Sequence, residues 1–214
     1  MKSKLALYLS TLIFAVLLFT GCATPETELP AGITPDITKL QKGQVYTARV
    51  KPGKEGGCSL ECVYMLNSPV EEVWELKSDF TNVTGLSGPI SESRIINRTP
   101  EKIVYEAKSP QISKWLRSEI TLDKDKHIIR TKLMNPDEMG MKFMNSEIRL
   151  KASENKTIVF WRNNLSLKFW PDAIAASLML PKMEDTAVED RRLFSEIIRL
   201  KKIKPHDGFV NIRK

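Results

Sequence analysis

Between Pro89 and Trp170 apolar side chains recur at every second residue, and from Asp172 onward the spacing lengthens to that of a helix. Ile103, Tyr105 and Ala107 alternate with mostly charged neighbours, as do Leu116, Ser118, Ile120 and Leu122. Ile129, Thr131 and Leu133 oppose Arg130 and Lys132, and Met144, Ser146, Ile148 and Leu150 oppose Asn145, Glu147 and Arg149. Trp161, Asn163, Leu165, Leu167 and Phe169 form a further line. A period of two sends successive side chains to opposite faces of a strand, so each run has one face to bury. Short turns separate the runs, at Thr99-Pro100-Glu101, Asp123-Lys124-Asp125, Asn135-Pro136-Asp137 and Ser153-Glu154-Asn155. The pattern predicts an antiparallel meander with one buried face. The apolar face needs a cover, and the stretch from Asp172 to near Ile203 supplies one. Met179, Met183, Ala187, Phe194 and Ile198 lie on a single helical stripe there. Pro181 inside that stretch is expected to kink the helix or break it into two.

One more helix precedes the meander. In Asn67-Ser68-Pro69-Val70-Glu71-Glu72-Val73-Trp74, Ser68 is placed to cap, Pro69 suits the first helical position, and the two glutamates oppose the helix dipole. Val70, Val73, Trp74 and Lys77 define one face, and the helix is expected to end before Gly85–Pro89.

The 214 residues suffice for one domain and a targeting segment, or for two small domains. A composition of 42% hydrophobic and 28% charged residues excludes long disorder, collagen-like repeats and a polytopic membrane protein. Three Cys and two His cannot make a four-cysteine zinc site, so neither a metal nor a cofactor is assigned. No GxSxG, HExxH, P-loop or GxGxxG motif occurs. His127 and His206 lack a nucleophile or carboxylate partner in local sequence and read as solvated, as do the acid pairs Glu184-Asp185 and Glu189-Asp190. No catalytic residue is assigned.

The amino end reads as an address. Met1-Lys2-Ser3-Lys4 is a short basic start, and Leu5 to Phe19 is apolar apart from Ser10 and Thr11. The run is too short for a comfortable span of ~20 residues and reads as a secretory signal. The exit Thr20-Gly21-Cys22 resembles the lipobox of bacterial lipoproteins, with Phe19 where Leu is commonest. That resemblance implies removal of residues 1–21 and lipidation of Cys22, which would fix the chain to the membrane of a bacterial envelope. Ala23, where the sorting pattern puts Asp for inner-membrane retention, points to the outer membrane. The other reading is cleavage after Ala23, which would release a soluble secreted protein. Loss of Lys2 and Lys4 lowers the formal charge from +7 to +5. A charge that small and dispersed is no footprint for nucleic acid.

Residues 22–57 hold Pro25, Pro30, Pro35 and Pro52 and show no sustained period apart from Gln44–Val50, so they read as a flexible tether. A domain over 58–203 and a polar tail over 204–214 follow. Cys58 and Cys62 sit in an alternating run. On a continuous strand four steps span ~13 Å, too far for a bridge, whereas a turn at Ser59–Leu60 would permit a disulfide. Both arrangements stay open.

The order strand, helix, meander, long closing helix resembles the helix-grip fold of the START and polyketide-cyclase-like superfamily. Val63-Tyr64-Met65-Leu66-Asn67-Ser68-Pro69-Val70-Glu71-Glu72-Val73-Trp74-Glu75-Leu76 is similar to that family's opening. Asp79-Phe80 stands where members carry an aspartate-aromatic pair, and Asp190–Lys202 looks like the closing helix. The resemblance covers about 58–203. It implies an α+β fold with a curved antiparallel sheet of six or seven strands wrapped on the last helix. It also implies a cavity between sheet and helix for lipids, sterols or other apolar molecules. Phe169-Trp170-Pro171-Asp172 replaces the Gly-Pro-rich turn of many members, so aromatics would shape the mouth.

Within that frame Tyr105, Trp115, Phe143, Trp161, Met179, Met183 and Phe194 are candidate lining residues, with Met144 beside them; methionine adapts to varied ligand shapes. Arg191 falls on the inward stripe of the last helix and is the candidate partner for a ligand head group. The expected activity is binding of an apolar or amphipathic, lipid-like molecule for carriage or sensing; protein partners are not specified. A cyclase or hydratase using Glu119 or Glu147 in the same cavity, and a purely structural lipoprotein, are the alternatives.

Overall fold

A computed structural model describes residues 31–81, 90–109 and 112–203. The order is α1 (Ile37–Gln41), β1 (Tyr46–Val50), β2 (Cys58–Leu66), α2 (Val70–Ser78), β3 (Glu92–Arg98), β4 (Lys102–Ser109), β5 (Ile112–Asp123) and β6 (Ile128–Leu133). A 3-10 turn (Pro136–Met139), β7 (Met141–Ser153), β8 (Lys156–Leu167) and α3 (Asp172–Ile203) complete it. The eight strands form one curved, unclosed antiparallel sheet in the order β1-β2-β8-β7-β6-β5-β4-β3. β3 to β8 are the meander that the alternation predicts. β2 returns across the top of the chain to pair with β8, in register from Cys58 opposite Leu165 to Leu66 opposite Thr157.

The strand beyond the expected six or seven is β1, which lies inside the segment read as a tether and pairs with β2. The residues ahead of it are also packed. Asp36 accepts hydrogen bonds from the N–H groups of Thr38 and Lys39 and so caps α1. Leu40, Ile33 and Tyr46 pack with Val63, Met65, Ile158 and Phe160 on the outer face of β2 and β8. This cover buries β2 on both faces, and it explains why β2 reads as an apolar run while the meander alternates.

α3 lies against the inner face of β1, β2 and β8. Its Met183, Ala187 and Phe194 are buried in the main core with Cys62, Tyr64, Leu60 and Val159. α3 is a single helix through Pro181 rather than the two pieces expected. Pro181 and Ser177 are both exposed, so the carbonyl that loses its donor turns to water, where the lost bond is cheap. The cap of α2 also differs from expectation. Pro69 takes the cap position with no side-chain bond, and the Ser68 hydroxyl is buried with no partner among the described residues. The Ser68 carbonyl accepts a hydrogen bond from Thr157 at 2.7 Å, which holds Ser68 against β8 and away from the helix N-terminus.

β2 is unbroken at Ser59–Leu60, and both Cys58 and Cys62 are free, buried thiols on the inner face. The strand geometry therefore decides between the two open arrangements. Cys22 and residues 1–30, the Gly85–Pro89 loop and the tail with His206 lie outside the described residues.

Candidate functional site on the concave face

The sheet register sets out the concave face row by row. One row crosses Ile103, Ile120, Thr131, Ser146, Asn163 and Leu60. The next crosses Leu122, Ile129, Ile148, Trp161 and Cys62. The rows are fully covered where α3 lies, on β2 and the adjoining part of β8. Over β5 to β7 the inward Ile120, Ile129, Leu133 and Leu150 are buried, whereas Leu116, Ser118, Thr131, Met144, Ser146 and Ile148, with Trp161 of β8, remain only half-buried. The curved sheet thus has a filled half under the helix and an incompletely filled half beside it. Met183 and Phe194 are buried in the seam between helix and sheet, and the half-buried surface lies next to that contact.

Polar groups are few and placed on this apolar ground. The Trp161 indole N–H donates to Ser146 Oγ at 2.9 Å. Tyr105 is buried on β4 beside Ser118 of β5, with its ring tilted against Phe80 at a centroid separation of 5.7 Å. Its hydroxyl is buried beside Ser93, and among the described residues no partner reaches hydrogen-bonding geometry. Burial pushes the Tyr105 pKa up, so the group is a neutral donor. A buried hydroxyl without a partner is an uncommon cost in a folded protein.

Of the residues expected to line a cavity, Tyr105, Trp161, Met179, Met183 and Phe194 belong to one apolar cluster. Trp115 does not. It is on the outer face, under the guanidinium of Arg94 at 4.6 Å, because the period of two sends it opposite to Leu116. Phe143 follows a register shift between Met141 and Phe143 and sits over Gly57, not in the core cluster. Arg191 turns away from the hollow and donates to the carbonyl of Gly43, in the loop between α1 and β1. Gly43 has φ +97°, and a Cβ there would meet the Arg191 guanidinium at 2.7 Å. Both nominal carboxylates of the enzyme alternative are on the outer face: Glu119 pairs with Lys102 at 2.7 Å, and Glu147 lies between Arg130 and Arg149 at 2.8 and 2.6 Å.

Two clusters were not anticipated. Asp190, read as solvated, receives the Tyr64 hydroxyl and the Lys77 ammonium on the same oxygen, the latter at 2.6 Å. This joins α3 to β2 and α2. Burial and the Asp190 charge raise the Tyr64 pKa well above its ordinary value. The signal was present: Asp190 is seven residues, two helical turns, after Met183 on the inward stripe. On the outer face Glu106 is buried between two arginines. Arg94 Nε and Nη2 reach Oε2 at 2.7 and 2.6 Å, and Arg117 Nε and Nη2 reach Oε1 at 2.7 and 2.5 Å. Hydrogen bonds from Arg117, then Arg94, hold its carboxyl below the usual range. These bonds occupy the carboxylate fully, which makes Glu106 a structural tie across β3, β4 and β5. Among the described residues no three His, Cys, Asp or Glu side chains gather as a metal would require. Among the described residues, an open groove of about 240 Å³ lies by α2, with Trp74 among Glu71, Glu75, Asp79 and Arg98, and another of about 510 Å³ lies where Leu133, Met134, Pro136 and Phe143 meet Glu119, Lys132 and Lys142.

No protein-family model and no curated relative matches the sequence. Solved structures match the fold. The START superfamily protein of Mycobacterium smegmatis superposes with a TM-score of 0.57 at 14% identity, over 66% of this chain and 99% of that one. The STAR-related lipid transfer protein of Xanthomonas axonopodis gives 0.56 at 10% identity, over 71% and 93%. The ZhuI aromatase/cyclase of Streptomyces sp. R1128 gives 0.55 at 16% identity, over 68% and 95%. At these identities the likeness speaks for architecture, and it agrees with the element order, the single open sheet and the long closing helix: the chain has the helix-grip fold of START and polyketide-cyclase-like proteins.

Proposed function

We propose that this protein binds an apolar or amphipathic, lipid-like small molecule on the half-covered concave face, and that it carries or senses that molecule without transforming it. The observation that supports this reading is the buried Tyr105 hydroxyl, unpartnered among the described residues, beside a run of half-buried apolar side chains. An acyl chain or ring system would cover Leu116, Met144, Ile148 and Trp161, gaining about 25 cal/mol per Å² of apolar surface removed from water. A carbonyl, hydroxyl or carboxylate on the same molecule would accept a hydrogen bond from the Tyr105 hydroxyl. The names of two structural neighbours, a lipid transfer protein and an aromatase/cyclase, fit an occupant of this class. The cyclase alternative would need an inward carboxylate, and its nominees Glu119 and Glu147 face outward in ion pairs. In the same reading residues 1–21 export the chain and Cys22 carries the lipid that holds it in the bacterial envelope, with Ala23 directing it to the outer membrane.

The test uses the chain from Ala23, purified without detergent and delipidated. Uptake of a fluorescent fatty acid with saturable stoichiometry is the expected result, weakened severalfold by Tyr105→Phe and more by Ile148→Asp. A folded protein that takes up neither fatty acid nor a general hydrophobic probe would end the proposal. For the anchor, radiolabelled palmitate incorporation that survives Cys22→Ser would remove the lipoprotein reading independently.

A further inference from the structure

The first third of α3 and the turn before it carry the largest exposed apolar side chains described. Phe169 is 83% exposed, Trp170 61%, Leu178 58% and Ile174 37%. Ile174 and Leu178 are spaced by four on α3, so they stand on one stripe, opposite the Met183 and Ala187 side that the sheet buries, and Phe169 and Trp170 stand in the turn just ahead of the helix. From Ala173 to Met183 there is no acidic residue. Asp172, the acid just before, is turned inward and accepts from the Ser166 hydroxyl at 3.2 Å. Lys168 and Lys182 flank the stripe, Lys168 also reaching Asp137 at 2.8 Å. Beyond Lys182 the outer side of the helix changes to Glu184, Asp185, Glu189 and Glu196. The apolar patch therefore ends where the charge becomes negative.

We infer that this patch is a membrane contact: Phe169 and Trp170 insert at the interface of an anionic bilayer, Ile174 and Leu178 lie on its surface, and Lys168 and Lys182 meet its head groups. Aromatic side chains with an apolar body and a polar edge suit the boundary between head groups and acyl chains. An apolar helix face edged by lysines is the form that lies in that plane. A protruding aromatic pair matches a deformable surface better than the flat face of a partner. A second copy of this chain, docked by the same patch about a two-fold axis, would bring the flanking lysines of both copies together. The acidic continuation of α3 limits the contact to the start of the helix, since anionic lipid repels it. The inference does not depend on the hollow holding a ligand.

The four tryptophans allow a direct test, because Trp74 is buried and Trp115 and Trp161 are half-buried, leaving Trp170 as the exposed one. The full chain is reconstituted in phosphatidylcholine vesicles doped with phosphatidylglycerol and carrying brominated acyl chains. Fluorescence should be quenched, and Trp170→Phe should remove at least half of that quenching. Leu178→Asp should weaken it with no change in circular dichroism, and omitting phosphatidylglycerol should weaken it as well. Wild-type quenching in the Trp170→Phe variant overturns the inference. So does an unquenched Trp170 accompanied by a sedimenting dimer that Leu178→Asp splits into monomers, which would assign the patch to a second copy.

Discussion

Replacing Asp190 tests how the closing helix is held to the sheet. Its carboxylate oxygen takes the Tyr64 hydroxyl of β2 and, at 2.6 Å, the Lys77 ammonium of α2. Lys77 and Asp190 side chains keep 13% and 18% exposure, so the pair is neither fully buried nor freely solvated. Breaking a fully buried pair by deleting one partner costs about 3–5 kcal/mol, whereas an exposed pair is worth about 0–1. A hydrogen bond to a charged group adds about 1.5–3 kcal/mol. Asp190→Ala leaves both the Tyr64 hydroxyl and a mostly buried ammonium unpaired, and the partial exposure places the loss at about 3 kcal/mol. Tyr64→Phe leaves Lys77 to satisfy the carboxylate and should cost about 1 kcal/mol. In urea unfolding of the chain from Ala23, followed by circular dichroism, the midpoint should fall in that order with an unchanged slope. The double variant should lose about 1 kcal/mol less than the sum, because the Tyr64 bond is already absent in Asp190→Ala. At about 2–4 °C per kcal/mol for a domain of this size, Asp190→Ala should melt roughly 6–12 °C lower. A loss below about 0.5 kcal/mol, or strict additivity with Tyr64→Phe, would refute the claim that this oxygen ties three elements together.

Three further outcomes follow from other sites. Glu106 has a folded pKa below its unfolded one, so its contribution is complete above the ordinary carboxylate range and is lost as pH falls through the depressed value. Glu106→Gln should therefore flatten acid unfolding while lowering the melting temperature at neutral pH. The thiols of Cys58 and Cys62 are buried, that of Cys62 with its pKa pushed up to about 12 by desolvation, so a neutral disulfide reagent should label them only after denaturant is added. Labelling at native conditions within the mixing time would contradict the packing under α3. Gly57 has φ +80°, and a Cβ there would lie 2.6 Å from the Leu165 carbonyl and 2.8 Å from the Phe143 ring. Gly57→Ala should cost at least about 1 kcal/mol, read from the same urea curves.

The meander, α2 and the inward stripe of α3 were legible in the linear sequence because each depends on the spacing of neighbours a few residues apart. Trp115 and Phe143 show where such reading stops. An aromatic residue counts as core material in composition, yet strand parity sends Trp115 outward beneath Arg94, and a register shift moves Phe143. The segment ahead of Cys58 looked like a tether because its prolines and short runs hide a five-residue edge strand. Only pairing with β2 makes that strand worth forming. The candidate site was half legible: Tyr105, Trp161 and Met179 gather in one cluster, while Arg191 finds a backbone carbonyl and turns away from the hollow.

Periodicity alone determined which side of the alternating strands and of the closing helix seeks burial, since the geometry of an element fixes where its side chains point. Tertiary structure decided everything that needs two distant residues to meet. It set α3 over β1, β2 and β8 so that part of the concave face over β5 to β7 stays half-buried, drew Asp190 inward to Tyr64 and Lys77, and buried Glu106 between two arginines. A charge on one strand becomes a buried tie only when register brings its counter-charges alongside, and no local pattern encodes that register.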